Sequence, residues 1–155
     1  MKDYTSQNIR NIAIVGHGGE GKTTLTEALL WTTGAIDRMG RVEEGTTVSD
    51  YDPEEIRRQF SISTAVAPVE WKDTKINFID IPGYFDFIGE MMGPLRIADA
   101  ALIVIGAVTG LSVGAEKAMA YTSEHSIPRA IFINSMGREN ADYDKVISQL
   151  KEKCQ

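Results

Sequence analysis

Two short runs carry the residue types that phosphate and metal chemistry need. In GHGGEGKT, residues 16–23, Gly16, Gly21, Lys22 and Thr23 satisfy the spacing G-x-x-x-x-G-K-Ser/Thr, between a β-rich run and a run at helical spacing. Glycines let backbone N–H groups converge without Cβ obstruction, so Gly16, His17, Gly18, Gly19, Glu20 and Gly21 read as an anion cradle ahead of a helix N-terminus. Lys22 would reach the β and γ phosphates, Thr23 would offer a hydroxyl to Mg²⁺, and Thr24 follows in the same turn. In INFIDIPG, residues 76–83, Asp80 ends an apolar run and is followed by Pro82 and Gly83. A lone Asp there ordinarily caps a helix or turns the chain. Downstream of a phosphate loop, it is placed to hold Mg²⁺ through the metal's water shell, and the Gly83 N–H to sense a terminal phosphate.

The elements that must position these residues follow from periodicity. Residues 9–15, 63–71, 75–81, 100–107 and 129–133 read as strands, with a polar separator, WKDTK, suited to a hairpin between the second and third. Residues 22–31, the stretch from Pro82 and Gly83 to Ile97, 115–125 and 142–153 have helical character, the last with Val146, Ile147 and Leu150 on one face. Continuous apolar strands alternating with helices predict an α/β domain: a mostly parallel twisted sheet, helices on both faces, and ligands at the carboxyl ends of the strands. Residues 36–59 show little periodicity, many charges and a lone Pro53, and read as a long functional loop.

The chain has 155 residues, enough for one domain with a real core and too few for two ordinary ones. Against 16 Lys and Arg stand 22 Asp and Glu, a formal charge of −6, so no whole-surface attraction for nucleic acid exists. Its single cysteine, Cys154, excludes an internal disulfide and suits a reducing cytosol. The longest apolar run, residues 100–105, is far below the roughly 20 residues needed to span a bilayer. The two histidines read as structural: His17 beside the phosphate loop, His125 as a surface or capping residue. Met91, Met92, Phe85 and Phe87 are expected to pack a mobile segment against the sheet, and YDPEEIRR reads as a solvated face.

The order of motifs, GHGGEGKTTLTEALL, then IDIPGYFDFIGEMMGPLRIADAALIVIGAVTGLSVGAEKA, then IPRAIFINSMGRENADY, resembles the GTP-binding domain of the translational GTPases, above all bacterial elongation factor G and its paralogues. The resemblance runs from Asn11 to about Tyr143. It implies a P-loop GTPase fold over residues 1–155, incomplete at the C-terminus and forming the N-terminal part of a larger protein. A first switch would span residues 36–62 and a second residues 80–97. Implied ligands are GTP or GDP and Mg²⁺; the implied partner is the ribosome, met by a cytoplasmic monomer with no membrane and no sequence-specific nucleic acid target. YDPEEIRR would then lie in a switch that contacts the ribosome.

Carried over residue by residue, the resemblance places Lys22, Gly83 and Tyr84 at catalytic positions and Thr23, Ser61 and Asp80 around the metal. Ser61, in RQFSIS, stands where the family has a metal-binding Thr, and serine offers the same hydroxyl. Tyr84 stands where the family has a His that positions the attacking water; a phenol does not titrate near neutrality as an imidazole does. Gly19 replaces an Asp that could ligate a monovalent cation. The family's Asn-Lys-x-Asp becomes Asn134, Ser135, Met136 and Gly137, which lacks the Lys stem that packs over the base and the carboxylate that accepts from guanine. Hydrogen bonds to a charged group are worth about 1.5–3 kcal/mol, so guanine affinity and its margin over adenine are expected to fall. No Ser-Ala-Lys or Ser-Ala-Leu follows, which implies a missing last strand, an exposed sheet edge and lower stability. Three functions stay open: a GTP-binding, slowly hydrolysing domain of an elongation factor G-like protein; a nucleotide-dependent ribosome-binding or regulatory module that does not hydrolyse GTP; and an unrelated P-loop ATPase.

Overall fold

The computed structural model describes residues 2–87 and 89–153, with the Phe85 side chain excepted; Cys154 lies outside the described residues. Five strands form one sheet: β1 (Ile9–Gly16), β2 (Ala65–Trp71), β3 (Thr74–Asp80), β4 (Ala100–Gly106) and β5 (Arg129–Asn134), in the order β2-β3-β1-β4-β5. β1, β3, β4 and β5 are parallel; β2 is antiparallel to β3 and lies at one edge. The reason is connection length. Lys72 and Asp73 alone join β2 to β3, with φ of 45° and 59°, the paired positive values of a two-residue hairpin turn, whereas the parallel strands are joined through helices.

Helices α1 (Lys22–Thr32), α3 (Gly89–Ile97), α4 (Val113–Glu124) and α5 (Tyr143–Lys153) cover the sheet. Period-two alternation along the strands divides the core. Ala13, Val15, Ile79, Ala101, Ile103 and Ile105 face Met91 and Leu95 of α3, Ala115, Ala118 and Met119 of α4, and Val146 of α5. Ile14, Phe78, Val104, Ala67 and Val69 face the other way, onto Leu30 of α1 with Leu25 and Leu29 beside it. Both faces of the central strands are therefore dry, which is why β4 and the second half of β1, residues 12–15, read as unbroken apolar runs.

The structure departs from the sequence expectations in three places, while the exposed β5 edge and the capping His125 agree with them. The segment 36–59 is not all loop: it holds a 3₁₀ turn at Val42–Glu44 and a short helix, α2 (Pro53–Arg58). Asp52 caps α2 by accepting from the Glu54 N–H at 2.7 Å, Glu55 reciprocates from the Asp52 N–H at 3.2 Å, Pro53 opens the first turn and Gln59, at φ 59°, ends it. Helix α4 begins two residues earlier than the apolar spacing indicates. Met91 is buried as expected, but Met92 is 49% exposed, because it lies one position further round a helix that turns a single face to the sheet. β5 is the other edge strand, and Ile131 and Phe132 on it are more than a third exposed. His125 caps α4, its Nδ1 3.0 Å from the Tyr121 carbonyl and its ring stacked on Tyr121.

Ile103, at the centre of β4, has no exposure at all. Replacing Ile103 by Ala should lower the unfolding free energy by about 2–5 kcal/mol through lost burial and a cavity. Urea unfolding followed by circular dichroism measures this, and a loss under about 1 kcal/mol would contradict the packing described.

Candidate nucleotide-binding site

The carboxyl ends of β1, β3, β4 and β5 converge on the phosphate loop. β1 ends at Gly16, where φ is 145° and a Cβ would run into the Val104 carbonyl of the neighbouring strand. The loop closes at Gly21, whose φ of 85° starts α1. There the Asn134 amide occupies the space a Cβ would need, and Asn134 Nδ2 donates to the Glu20 carbonyl at 2.8 Å. Asn134, at the end of β5, is thus a brace for the loop's shape. Glu20 turns its side chain away from the cleft: 5% exposed, it accepts from Thr109 Oγ1 at 2.9 Å under β4.

A cleft of about 200 Å³ opens over this loop, lined by Gly18, Gly19, Gly21, Lys22, Thr23 and Thr24, then by Ser61, Gly83 and Tyr84. Residues far apart in sequence are brought together here. The Thr23 and Ser61 hydroxyls lie 3.1 Å apart, which joins the phosphate loop to the segment after α2. Asp80 is 1% exposed behind them, with one carboxylate oxygen accepting from Ser49 Oγ at 3.0 Å and the other, Oδ1, without a hydrogen-bond partner. Asp50 also lines the cleft; it is 3% exposed and both its carboxylate oxygens lack a hydrogen-bond partner. Burial pushes the Asp80 carboxyl up to about 6, while Lys22 and the Thr23 and Ser49 hydroxyls pull it back. Asp50 is likewise raised, by burial first, with Ser61 and Lys22 opposing. Lys22 moves the other way, lowered by burial and partly restored by Asp80, Glu20 and Asp50.

The long segment between α1 and β2 is held by two buried carboxylates. Glu27 on α1, with no exposure, accepts from the Gly40 N–H at 2.8 Å and the Val48 N–H at 2.6 Å. Glu55 on α2 accepts from Ile62 and Ser63 at 2.9 and 3.0 Å and so fixes the stretch that carries Ser61. Satisfying four backbone donors with side-chain carboxyl oxygens explains how a loop with little apolar content keeps a defined path.

Some phosphate-loop donors are already engaged. The Gly18 N–H donates to the Gly83 carbonyl at 3.0 Å, and Lys22 Nζ donates to the His17 carbonyl at 2.9 Å. Above them, the Tyr84 ring lies against Gly18, its atoms 2.7–2.9 Å from where a Cβ would stand. It also packs at a tilt on Phe60, with centroids 4.7 Å apart, and its hydroxyl has no hydrogen-bond partner among the described residues. Gly16, His17, Gly83 and Tyr84 also border a second, apolar cavity of about 160 Å³ on the far side of the loop.

The residues present fit Mg²⁺. Two hydroxyls and two buried carboxylates with unsatisfied oxygens offer an all-oxygen donor set, the kind hard divalent cations take, and orphaned buried oxygens at this density need a cation or its waters. The Thr23 and Ser61 hydroxyls lie together, with Asp80 buried behind them. Asp50 was not expected, and neither were Gln59, Phe60, Val42, Glu43 and Arg138, which complete the cleft wall. Ser135 and Met136 stand outside that wall: Ser135, at φ 62°, turns the loop and accepts from the Arg138 N–H at 3.1 Å, and Met136 is 50% exposed.

A family model described as the elongation factor Tu GTP binding domain matches residues 7–155. The chain belongs to this family. It is 39% identical over 153 residues to elongation factor G 2 of Streptomyces coelicolor, covering 99% of this chain and 22% of that protein. It is 37% identical over 155 residues to the mitochondrial ribosome-releasing factor 2 of Candida dubliniensis, covering 100% of this chain and 19% of the relative. A crystal structure from Thermus thermophilus matches with a TM-score of 0.90 at 43% identity, over 94% of this chain and 22% of that one. The chain therefore spans between 19% and 22% of the length of these relatives. Membership sets aside the unrelated P-loop ATPase.

Two outcomes follow from this geometry. Because Asp80 holds its proton up to about 6 when folded and to 3.8 in its ordinary state, the folded chain binds more protons than the unfolded one between those values. Stability of the nucleotide-free chain should then fall as pH rises through that window and level off above it. Urea unfolding without Mg²⁺ from about pH 4 to 7 reads this directly, and Asp80→Asn should flatten the slope; an unchanged slope in the variant refutes the assignment. Separately, Gly18→Ile places a branched side chain where the Tyr84 ring lies, so the ring must leave. The Tyr84 environment, seen in near-ultraviolet circular dichroism, should change in Gly18→Ile and stay as in the parent in Gly137→Ala, since nothing lies within 4 Å of a Cβ at Gly137 and its φ is not positive.

Proposed function

We propose that this chain is the guanine-nucleotide-binding part of an elongation factor G-like translation factor, which binds GTP or GDP with Mg²⁺ and works on the ribosome as a cytoplasmic monomer. The observation that carries the proposal is the meeting of Lys22, Thr23 and Ser61 at one cleft over the phosphate loop, with Asp80 buried behind them, in a chain whose relatives include elongation factor G proteins. Thr23 and Ser61 would hold the metal directly, with Asp80 and Asp50 behind them. Bound Mg²⁺ supplies charge neutralisation at the phosphates. Lys22 would leave the His17 carbonyl for the β and γ phosphates, and the Gly83 peptide would release the Gly18 N–H as the terminal phosphate arrives.

Hydrolysis in this reading is in-line attack of water on the γ-phosphate, and it is slow. Tyr84 offers a phenol held against Gly18 and Phe60 rather than an imidazole near the attacking water. That packing also favours a second reading, in which nucleotide acts as a structural switch ligand on the ribosome and is not turned over.

Competition against fluorescent GDP in Mg²⁺ by GTP, GDP, ATP and ADP tests binding, with Lys22→Ala as the control expected to weaken it by at least about tenfold. Single-turnover GTP hydrolysis with ribosomes then separates the two readings. A measurable rate in the parent that Tyr84→His raises on the order of 10²-fold supports the slow enzyme. No turnover in either supports the switch module, and no nucleotide binding by the parent overturns both.

A further inference from the structure

The cleft over the phosphate loop does not end at Thr24. A second cavity of about 610 Å³, lined by Thr24, Gly40, Arg41, Val42, Glu43 and Arg138 among others, shares Thr24, Val42, Glu43 and Arg138 with it, so the two are one continuous groove. Lys22 and the loop amides define the phosphate end. Whatever part of a nucleotide lies beyond Thr24 is therefore the nucleoside, and Arg138 stands at that junction. Its guanidinium has no ion-pair or hydrogen-bond partner among the described residues, whereas Arg41 on the facing wall is paired with Glu44 at 3.8 Å. The loop holds Arg138 in place from both sides: its N–H donates to the Ser135 carbonyl, and its carbonyl accepts from the Ala141 N–H at 3.2 Å. Next to it, Gly137 brings no side chain, and a Cβ there would meet nothing within 4 Å, so no neighbour crowds Arg138 from that side.

We propose that Arg138 is the residue that holds the base, stacking its planar guanidinium on the face of a purine at the mouth of this groove. The inference rests on the nucleotide-binding reading above. A guanidinium is flat, permanently charged and weakly hydrated, and it packs on aromatic faces whatever their edge substituents. With Ser135 and Gly137 offering neither a long stem nor a carboxylate, attachment through the ring face supplies affinity without reading the guanine edge. Arg138 thus contributes equally to the binding of guanine and adenine nucleotides.

The test measures affinities of the intact chain, in Mg²⁺, for fluorescent GDP, fluorescent ADP and inorganic tripolyphosphate. Arg138→Ala should weaken GDP and ADP by a similar factor, about tenfold, and leave tripolyphosphate unchanged, since the phosphate end is untouched. Arg138→Lys, which keeps the charge and loses the plane, should recover less than half of that loss on a logarithmic scale. Equal weakening of all three ligands would make Arg138 a general phosphate-attracting charge and overturn the proposal, as would full rescue by Lys or a loss confined to GDP. Unchanged affinities in Arg138→Ala, with the parent binding normally, overturn this inference alone; a parent that binds no nucleotide overturns the reading beneath it as well.

Discussion

The structure turns on an imbalance of buried charge. Asp50 and Asp80 are both nearly inaccessible at the carboxyl edge of the sheet, and the one lysine beside them, Lys22, is 6% exposed and lowered by the same burial. Isolated buried ions are costly, and a single ammonium does not satisfy two carboxylates that keep three oxygens without hydrogen bonds. Apolar residues at these positions would make a more stable domain. Their presence makes sense where a divalent cation and a polyphosphate arrive together, because the ligand then completes the electrostatics that the fold leaves open. Stability and ligand binding are opposed at this edge, and the rest of the sheet, dry on both faces around β1 and β4, supplies the margin.

The same edge explains why the phosphate loop is shaped before any ligand comes. Gly18 and Lys22 already donate, to the Gly83 and His17 carbonyls. Ligand entry is therefore an exchange of partners rather than the filling of unsatisfied donors, and the Gly83 peptide that must yield belongs to the segment after β3. Glu27 and Glu55 play the corresponding part on the opposite wall: Glu27 on α1 fixes the Gly40 and Val48 N–H groups, and Glu55 on α2 fixes those of Ile62 and Ser63, so the stretch that carries Ser61 is held by α2 rather than by its own short segment.

Much of this was legible in residue spacing. The phosphate loop, the strand ending at Asp80, the hairpin at Lys72 and Asp73 and the parallel core follow from local rules of glycine placement and period-two burial, and these act within a few residues. Helix α2 was not read: Asp52, Pro53 and Glu55 are a capping box with proline at the first turn, but charge density and the lack of an apolar stripe concealed it, and only six residues had to be helical. Asp50 and Arg138 were not legible. Each is an ordinary polar residue in a polar stretch, and what singles it out is the company brought by distant elements: Thr23 and Ser61 for Asp50, Thr24 and Val42 for Arg138. Family resemblance found the positions whose residue types are fixed by the chemistry and passed over those that the local groove recruits.

Tyr84 shows how a departure at one position is tied to others. Read singly, a Tyr in place of the expected His is a loss of an imidazole. In the structure, the ring lies on Gly18 closer than any side chain there would allow, and its other face meets Phe60. Tilted aromatic contacts of this kind add about 0.5–1.5 kcal/mol beyond burial, enough to favour the position in which the ring spans the phosphate loop and the segment after α2. A side chain at position 18 and an aromatic ring at 84 exclude each other, so glycine at the first position and tyrosine at the second are one packing solution. The segment after α2 and the segment after β3 are thereby joined through an apolar contact rather than a hydrogen-bonded one. A catalytic group must be free to turn toward its water; a ring wedged between a glycine and a phenylalanine is held by shape, and its chemistry is subordinate to its packing.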